Sequence, residues 1–175
     1  MQNLQGWQRE INLYHYNPNP LGWVDPWGLC KQKPDFYVGP HGPGSTMPSA
    51  AYRYMNSTDR YAAEAISSRS APLSYFGYTK YKTGHEAKDA YQIFYEKGNP
   101  KSWSDARLLG DFDTLQLYNN GIPQVKVPMA NGGEGPGLDL FTSSYPEYGK
   151  GGALQLLPME KGTTINFDDI TILPE

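Results

Sequence analysis

Residues 50–81 read AAYRYMNSTDRYAAEAISSRSAPLSYFGYTKY. The opening AAYRYM is strand-like, and alternation sends Arg53 to the face opposite Tyr52 and Tyr54. Residues 58–68, TDRYAAEAISS, have good helix formers behind a Thr/Asp start, and Ala71-Pro72 ends that run. LSYFGYTKY, residues 73–81, reads as a second strand by its aromatics and β-formers. Strand, short helix and strand in quick succession point to an α+β domain assembled from small pieces.

The flanking sequence extends this pattern. Residues 39–49, GPHGPGSTMPS, form a Gly/Pro loop. Gly84-His85-Glu86 opens a second short helix, predicted to run through EAKDAYQIFYE (86–96). WSDARLLGDFDTLQLY (103–118) predicts a turn and then a strand centred on Leu115 and Leu117. GIPQVKVPM (121–129) is broken by prolines, which predicts an edge strand. NGGEGPG (131–137) is a loop, and GGALQLL (151–157) and TTINFDDITILP (163–174) are closing strands.

Composition bounds the function. Of 175 residues, 38% are hydrophobic and 19% charged, which excludes a disordered chain and a coiled coil. Gly 19 and Pro 15 exceed a background of about 12% and favour turns over long helices. The 14 tyrosines can still build a core. Net charge is −3 and the pI is near 5.6, so stable binding to a nucleic-acid backbone is not expected. Cys30 is the only cysteine, which excludes an internal disulfide and a cysteine-rich zinc site. No apolar run approaches the ~18 residues of a membrane span, and no basic-then-apolar leader follows Met1, so no signal peptide is expected.

Residues 11–29, INLYHYNPNPLGWVDPWGL, read physically as a strand closed by prolines and a turn at Pro26 and Gly28. Asn12, Leu13, Tyr14, Tyr16, Asn19, Pro20 and then Asp25, Pro26, Gly28 and Leu29 resemble the end of an Rhs repeat-associated core with its D-P-x-G-L junction. That resemblance implies a boundary, with 1–29 the tail of the core and 30–175 a C-terminal toxin domain. It implies an antibacterial effector delivered by a specialised apparatus, a type VI secretion system. The effector would act in the target-cell cytoplasm, and a cognate immunity protein would protect the producer. Cleavage in such proteins follows the Leu, here Leu29; Asp25 is present and the partner acidic motif is absent.

Candidate chemistry concentrates at three places. Arg53 can clamp a phosphate bidentately, as lysine cannot; the plainer reading is a surface arginine between two core tyrosines. Ser74-Tyr75-Phe76-Gly77 can receive a flat ring, with Gly77 allowing close approach, or can be an ordinary core strand. PEYGKGGALQL (146–156) presents Glu147 and Gln155 near a Gly-rich bend, where a carboxylate or amide could orient a ribose or stabilise an oxocarbenium centre. His41 and His85 lack metal-ligand neighbours, so no metal is expected. No G-x-S-x-G elbow, Walker loop or H-E-x-x-H occurs. Asp111 and Asp113 share a strand face and are expected to face water. Trp103, Tyr37 and Tyr78 are expected in the core, with one of them available to stack on a base.

The order Arg, aromatic/Ser strand, late Gln or Glu is similar to the ADP-ribosyltransferase pattern. It implies two small packed β-sheets around an NAD cleft, with NAD as substrate. Arg53 and Tyr54 would hold NAD, Ser74, Tyr75, Phe76 and Gly77 would line the nicotinamide side, and Gln155 or Glu147 would act on the ribose. The S-T-S triplet and the E-x-E or Q-x-E pair of that superfamily are absent; two residues past Gln155 stands Leu157. Residues 37–175, from YVGPHGP through SYFGY and YPEYGKGGA, resemble an Rhs toxin class that ADP-ribosylates elongation factor Tu. Rival readings are an NAD glycohydrolase toxin, a nuclease toxin using His41, His85 or Asp113, and a shell remnant or decoy that binds an immunity protein.

Overall fold

The computed structural model describes residues 47–99, 102–133 and 137–175, all within one compact unit, Gln32–Glu175. The predicted junction with Asp25 and Leu29, together with Cys30, Tyr37 and His41, lies outside the described residues.

The architecture is mixed α/β with small sheets. Strands β1 (Ala50–Met55), β3 (Leu108–Asp113) and β9 (Asp169–Ile172) form an antiparallel sheet in the order β1-β3-β9. Two-stranded ladders join β2 (Ser70–Pro72) to β8 (Thr164–Asn166), β4 (Tyr118–Asn119) to β5 (Ile122–Pro123), and β6 (Val125–Lys126) to β7 (Leu157–Pro158). Single bridges Tyr52–Gly77 and Phe76–Leu156 carry the pairing on from β1 towards the Gln155 segment. None of the helices among the described residues is long and apolar enough to cross a membrane.

Alternation along β1 and β3 gives the central sheet two different faces. Ala51, Met55, Leu108 and Phe112 face a core with Phe76, Leu156, Ile165 and Phe167. Tyr54 and Leu109 face a second core with Ala87, Ala106 and Leu173, lined by Tyr52, Tyr81 and Tyr91. Helix α1 (Ala62–Ser68) packs Ala62 and Ala65 into the first core, and α2 (Gly84–Ala90) packs Ala87 into the second. Seven residues are too few for an isolated helix in water, so both helices depend on these contacts.

Local chemistry explains where the elements depart from expectation. α1 begins at Ala62, not at residue 58, because Asn56 Oδ1 accepts from the Thr58 N–H (3.2 Å) and hydroxyl (2.9 Å). That side-chain turn competes with helix. α2 starts as predicted, with Thr83 capping the Glu86 N–H at 3.0 Å while the Glu86 carboxylate accepts from the Lys82 N–H at 3.0 Å. It stops at Ala90 rather than reaching residue 96. Gln92 adopts φ +52°, its N–H donates to Asp89 O and the Ile93 N–H donates to Lys88 O, a Schellman ending.

The predicted strand at Leu115 and Leu117 is a 3₁₀ turn, Thr114–Leu117; the strand lies earlier, at β3. Asp113 causes the turn by accepting from the Leu115 N–H at 2.8 Å. Asp113 and Asp111 do not simply face water, since Asp111 pairs with Lys80 Nζ at 2.5 Å. LSYFGYTKY contributes only the bridges at Phe76 and Gly77. The proline-broken segment 121–129 contributes two short strands, each paired on one side.

Gly110 marks the tightest packing of the sheet, because a Cβ there would lie 2.4 Å from the Phe167 ring. Phe167 in turn packs edge-on against Phe112, and Phe112 against Phe76. Gly110→Ala is expected to cost about 1–3 kcal/mol by overpacking, measured as a lower urea midpoint. Phe167→Leu in the Gly110→Ala background should recover part of that loss.

Candidate functional site

Two cavities adjoin at Trp103, which lines both. The first, of about 300 Å³, is walled by Tyr54, Tyr75, Tyr91, Phe94, Trp103 and Tyr145, with Ser74, Gln92, Asp139, Thr142 and Gln155 supplying polar groups. The second, of about 670 Å³, lies beside α1 and contains Arg53. The predicted site residues divide between these cavities, the core and the exposed surface.

Ser74, Tyr75 and Gln155 come together in the aromatic cleft, with Tyr54 also in its lining. Gln155 is 7% exposed. Its Nε2 donates to Asp139 O at 2.8 Å and Asp139 Oδ2 at 3.1 Å. With both amide donors engaged, Gln155 Oε1 is the free acceptor of that side chain among the described residues. Asp139 is equally buried. Its Oδ1 accepts from Ser143 Oγ and its Oδ2 from Ser144 Oγ, both at 2.9 Å. A buried carboxylate needs such donors to be tolerated.

Asp139 was not singled out by the sequence reading. The signal available was an acidic residue set between Leu138 and Leu140 and followed by Ser143-Ser144. Burial, followed by the nearby Tyr145 and Asp139 charges, pushes the Tyr75 phenol above its ordinary value, so it stays a neutral O–H donor at pH 7. Burial likewise pushes up the Tyr54 and Tyr91 phenols. The Tyr54 hydroxyl donates to Thr79 O at 3.0 Å and accepts from the Tyr81 N–H at 2.6 Å.

Three predicted residues are placed elsewhere. Phe76 is fully buried against Tyr78 and Phe112, so it is core and does not line the cleft. Gly77 does permit a close approach, but by the chain itself: a Cβ there would lie 2.3 Å from both Leu154 O and the Tyr91 hydroxyl. Glu147 is exposed on the short 3₁₀ turn Pro146–Tyr148, outside both cavity linings. The glycines around Lys150 also admit the protein's own backbone. A Cβ at Gly149 would lie 2.2 Å from Asp89 O, and one at Gly151 2.3 Å from Thr142 O.

Arg53 faces the other way from Tyr54, as alternation requires. Its Nε and Nη1 are buried without a hydrogen-bond partner, and burial lowers its pKa to about 10. The guanidinium therefore remains charged at neutral pH, and it lines the larger cavity without an ion pair among the described residues. An unpaired buried cation is costly, and an anionic ligand would relieve that cost.

Gln92 holds the cleft together. Its Nε2 donates to Gly149 O and its Oε1 accepts from the Tyr145 N–H, both at 3.0 Å, while its own backbone occupies the left-handed region. Gln92→Ala is expected to destabilise the fold by about 1–3 kcal/mol through the lost hydrogen bonds. Gln92→Gly loses the same bonds but should cost about 1 kcal/mol less, since glycine tolerates the positive φ. Chemical denaturation of the two variants side by side checks the difference.

A search of protein-family models finds no match to this chain, and no solved structure matches it. Among curated proteins, a 30-residue stretch, 17% of this chain, is 57% identical to "Double-stranded DNA deaminase toxin A" of Burkholderia cenocepacia strain H111. The matched stretch is 2% of that protein. The chain thus shares a short segment with a bacterial toxin.

Proposed function

We propose that this chain is the effector part of an Rhs-type polymorphic toxin that splits NAD and transfers ADP-ribose to a bacterial protein, with elongation factor Tu as the target. The observation that carries the reading is the part-buried guanidinium of Arg53, whose Nε and Nη1 lack partners, beside a cavity that shares Trp103 with the aromatic cleft. A dinucleotide needs a cation for its phosphates and a flat, mostly apolar slot for its ring. Arg53 would take the phosphates, Tyr75 and Ser74 would flank the nicotinamide ribose, and Gln155 Oε1 would accept from a ribose hydroxyl. The nicotinamide–ribose C–N bond breaks, its electron pair leaves with the ring nitrogen, and a nucleophile of the target attacks the ribosyl carbon and loses a proton.

Deamination, the activity in the Burkholderia protein's name, finds no support in this chain. Zinc deaminases hold their metal with His/Cys/Cys or three Cys, and Cys30 is the sole cysteine. The short shared stretch supports a toxin role; an immunity protein as cognate partner is inferred from the Rhs-like junction in residues 11–29. A glycohydrolase reading has one feature in its favour. Two residues past Gln155 stands Leu157, in β7, so the E-x-E or Q-x-E pair whose first acid activates the acceptor is absent, which leaves water as an alternative nucleophile.

Incubation of the purified chain with bacterial lysate and NAD labelled in its adenylate phosphate is expected to yield one labelled protein of elongation-factor size. Free labelled ADP-ribose alone would establish the glycohydrolase, and unchanged NAD would overturn both. Arg53→Met is expected to abolish NAD consumption while leaving the melting temperature unchanged or raised, since an apolar side chain removes an unpaired buried charge. A structural arginine would show the opposite pattern.

A further inference from the structure

Among the described residues that line the aromatic cleft, Asp139 is the one charged residue. Its carboxylate receives Ser143 Oγ, Ser144 Oγ and Gln155 Nε2, all neutral donors. Hydrogen bonds from neutral groups stabilise a buried anion without cancelling its charge. No lysine, arginine or histidine forms an ion pair with it among the described residues. Asp139 and Tyr75 line the same cleft. The same cleft is lined by six aromatic side chains, whose ring faces carry negative potential. Aromatic walls and one carboxylate, with no cation lining the cleft among the described residues, are complementary to a flat ring that bears positive charge.

We propose that the cleft selects a cationic flat ring over a neutral ring of the same shape, and that Asp139 is the residue that sets this selectivity. The identity of the ring, the pyridinium of oxidised NAD, rests on the function proposed above; the charge preference rests on the cleft alone. The consequence for the reaction is directional. When the C–N bond breaks, its electron pair passes to the ring nitrogen, so nicotinamide becomes neutral and loses its attraction to Asp139. The positive charge moves to the ribosyl carbon. Reduced NAD, whose dihydropyridine ring is neutral, is correspondingly a poor ligand.

Titration of the full chain with 1-methylnicotinamide, a cation, and with nicotinamide, its neutral counterpart, tests the charge preference directly. Calorimetry, or the change in tryptophan fluorescence to which Trp103 contributes, can report binding. The cation is expected to bind at least about tenfold more tightly. Asp139→Asn keeps an acceptor for Gln155 and is expected to bring the two affinities within about threefold by weakening the cation alone. Equal binding of the two rings to the unsubstituted chain, or failure of both to bind, would overturn the proposal without any variant having to fold. So would an Asp139→Asn protein that melts normally and keeps the preference. NAD turnover in the same preparation separates the two ideas. A cation preference with unchanged NAD would sink the NAD reading alone, and NAD cleavage without the preference would sink the role of Asp139 alone.

Discussion

The antiparallel pairing of Ala50–Met55 with Leu108–Asp113 is the constraint on which the molecule depends. It buries the middle strand between two partners and gives each face a core of its own. Gly110 lies opposite Arg53 and under the Phe167 ring, so the chain from 164 to 172 can close over the sheet only because that position lacks a Cβ. The same pairing sends Arg53 and Tyr54 to opposite faces. Arg53 therefore reaches the cavity beside α1, while Tyr54 reaches the aromatic cleft.

Two uncancelled charges of opposite sign result, each held where solvent cannot fully relieve it. Arg53 lacks partners for two of its nitrogens, and Asp139 is surrounded by neutral donors. They line neighbouring cavities that share Trp103. Folding alone favours removing such charges or pairing them. The ligand proposed above, negative at its phosphates and positive at its ring, would match both signs. The supporting framework is neutral and directional: Gln92 ties α2 to the loop at 145–149, and Gln155 ties the closing segment to Asp139.

Parts of this were legible in the linear chain because they depend on near neighbours. The Thr83/Glu86 helix start follows from a spacing of three, and the placement of Arg53 follows from alternation in AYRYM. Gln155 could be suspected from the glycines before it, although those glycines turned out to admit Asp89 and Thr142 rather than a ligand. The strand expected at Leu115 and Leu117 failed for a local reason of its own. Alternating leucines suit a strand, but one Asp113 side-chain bond closes a 3₁₀ turn that buries Leu117 and leaves Leu115 71% exposed.

What the sequence by itself determined is that the elements are short, that α2 starts after Thr83, that Arg53 and Tyr54 point in opposed directions, and that there are too few cysteines for a cysteine-rich metal site. These depend on chirality, period and composition, which act over a few residues. Only the tertiary structure decided that Phe76 is core, that Gly77 admits Leu154 and Tyr91, and that Glu147 stays outside the cavities. It also decided that Asp139 is the carboxylate of the aromatic cleft. Asp139 meets Gln155 across 16 residues of chain, and the bridges that bring them together, Phe76 to Leu156 and Phe141 to Leu154, join segments that no local pattern relates.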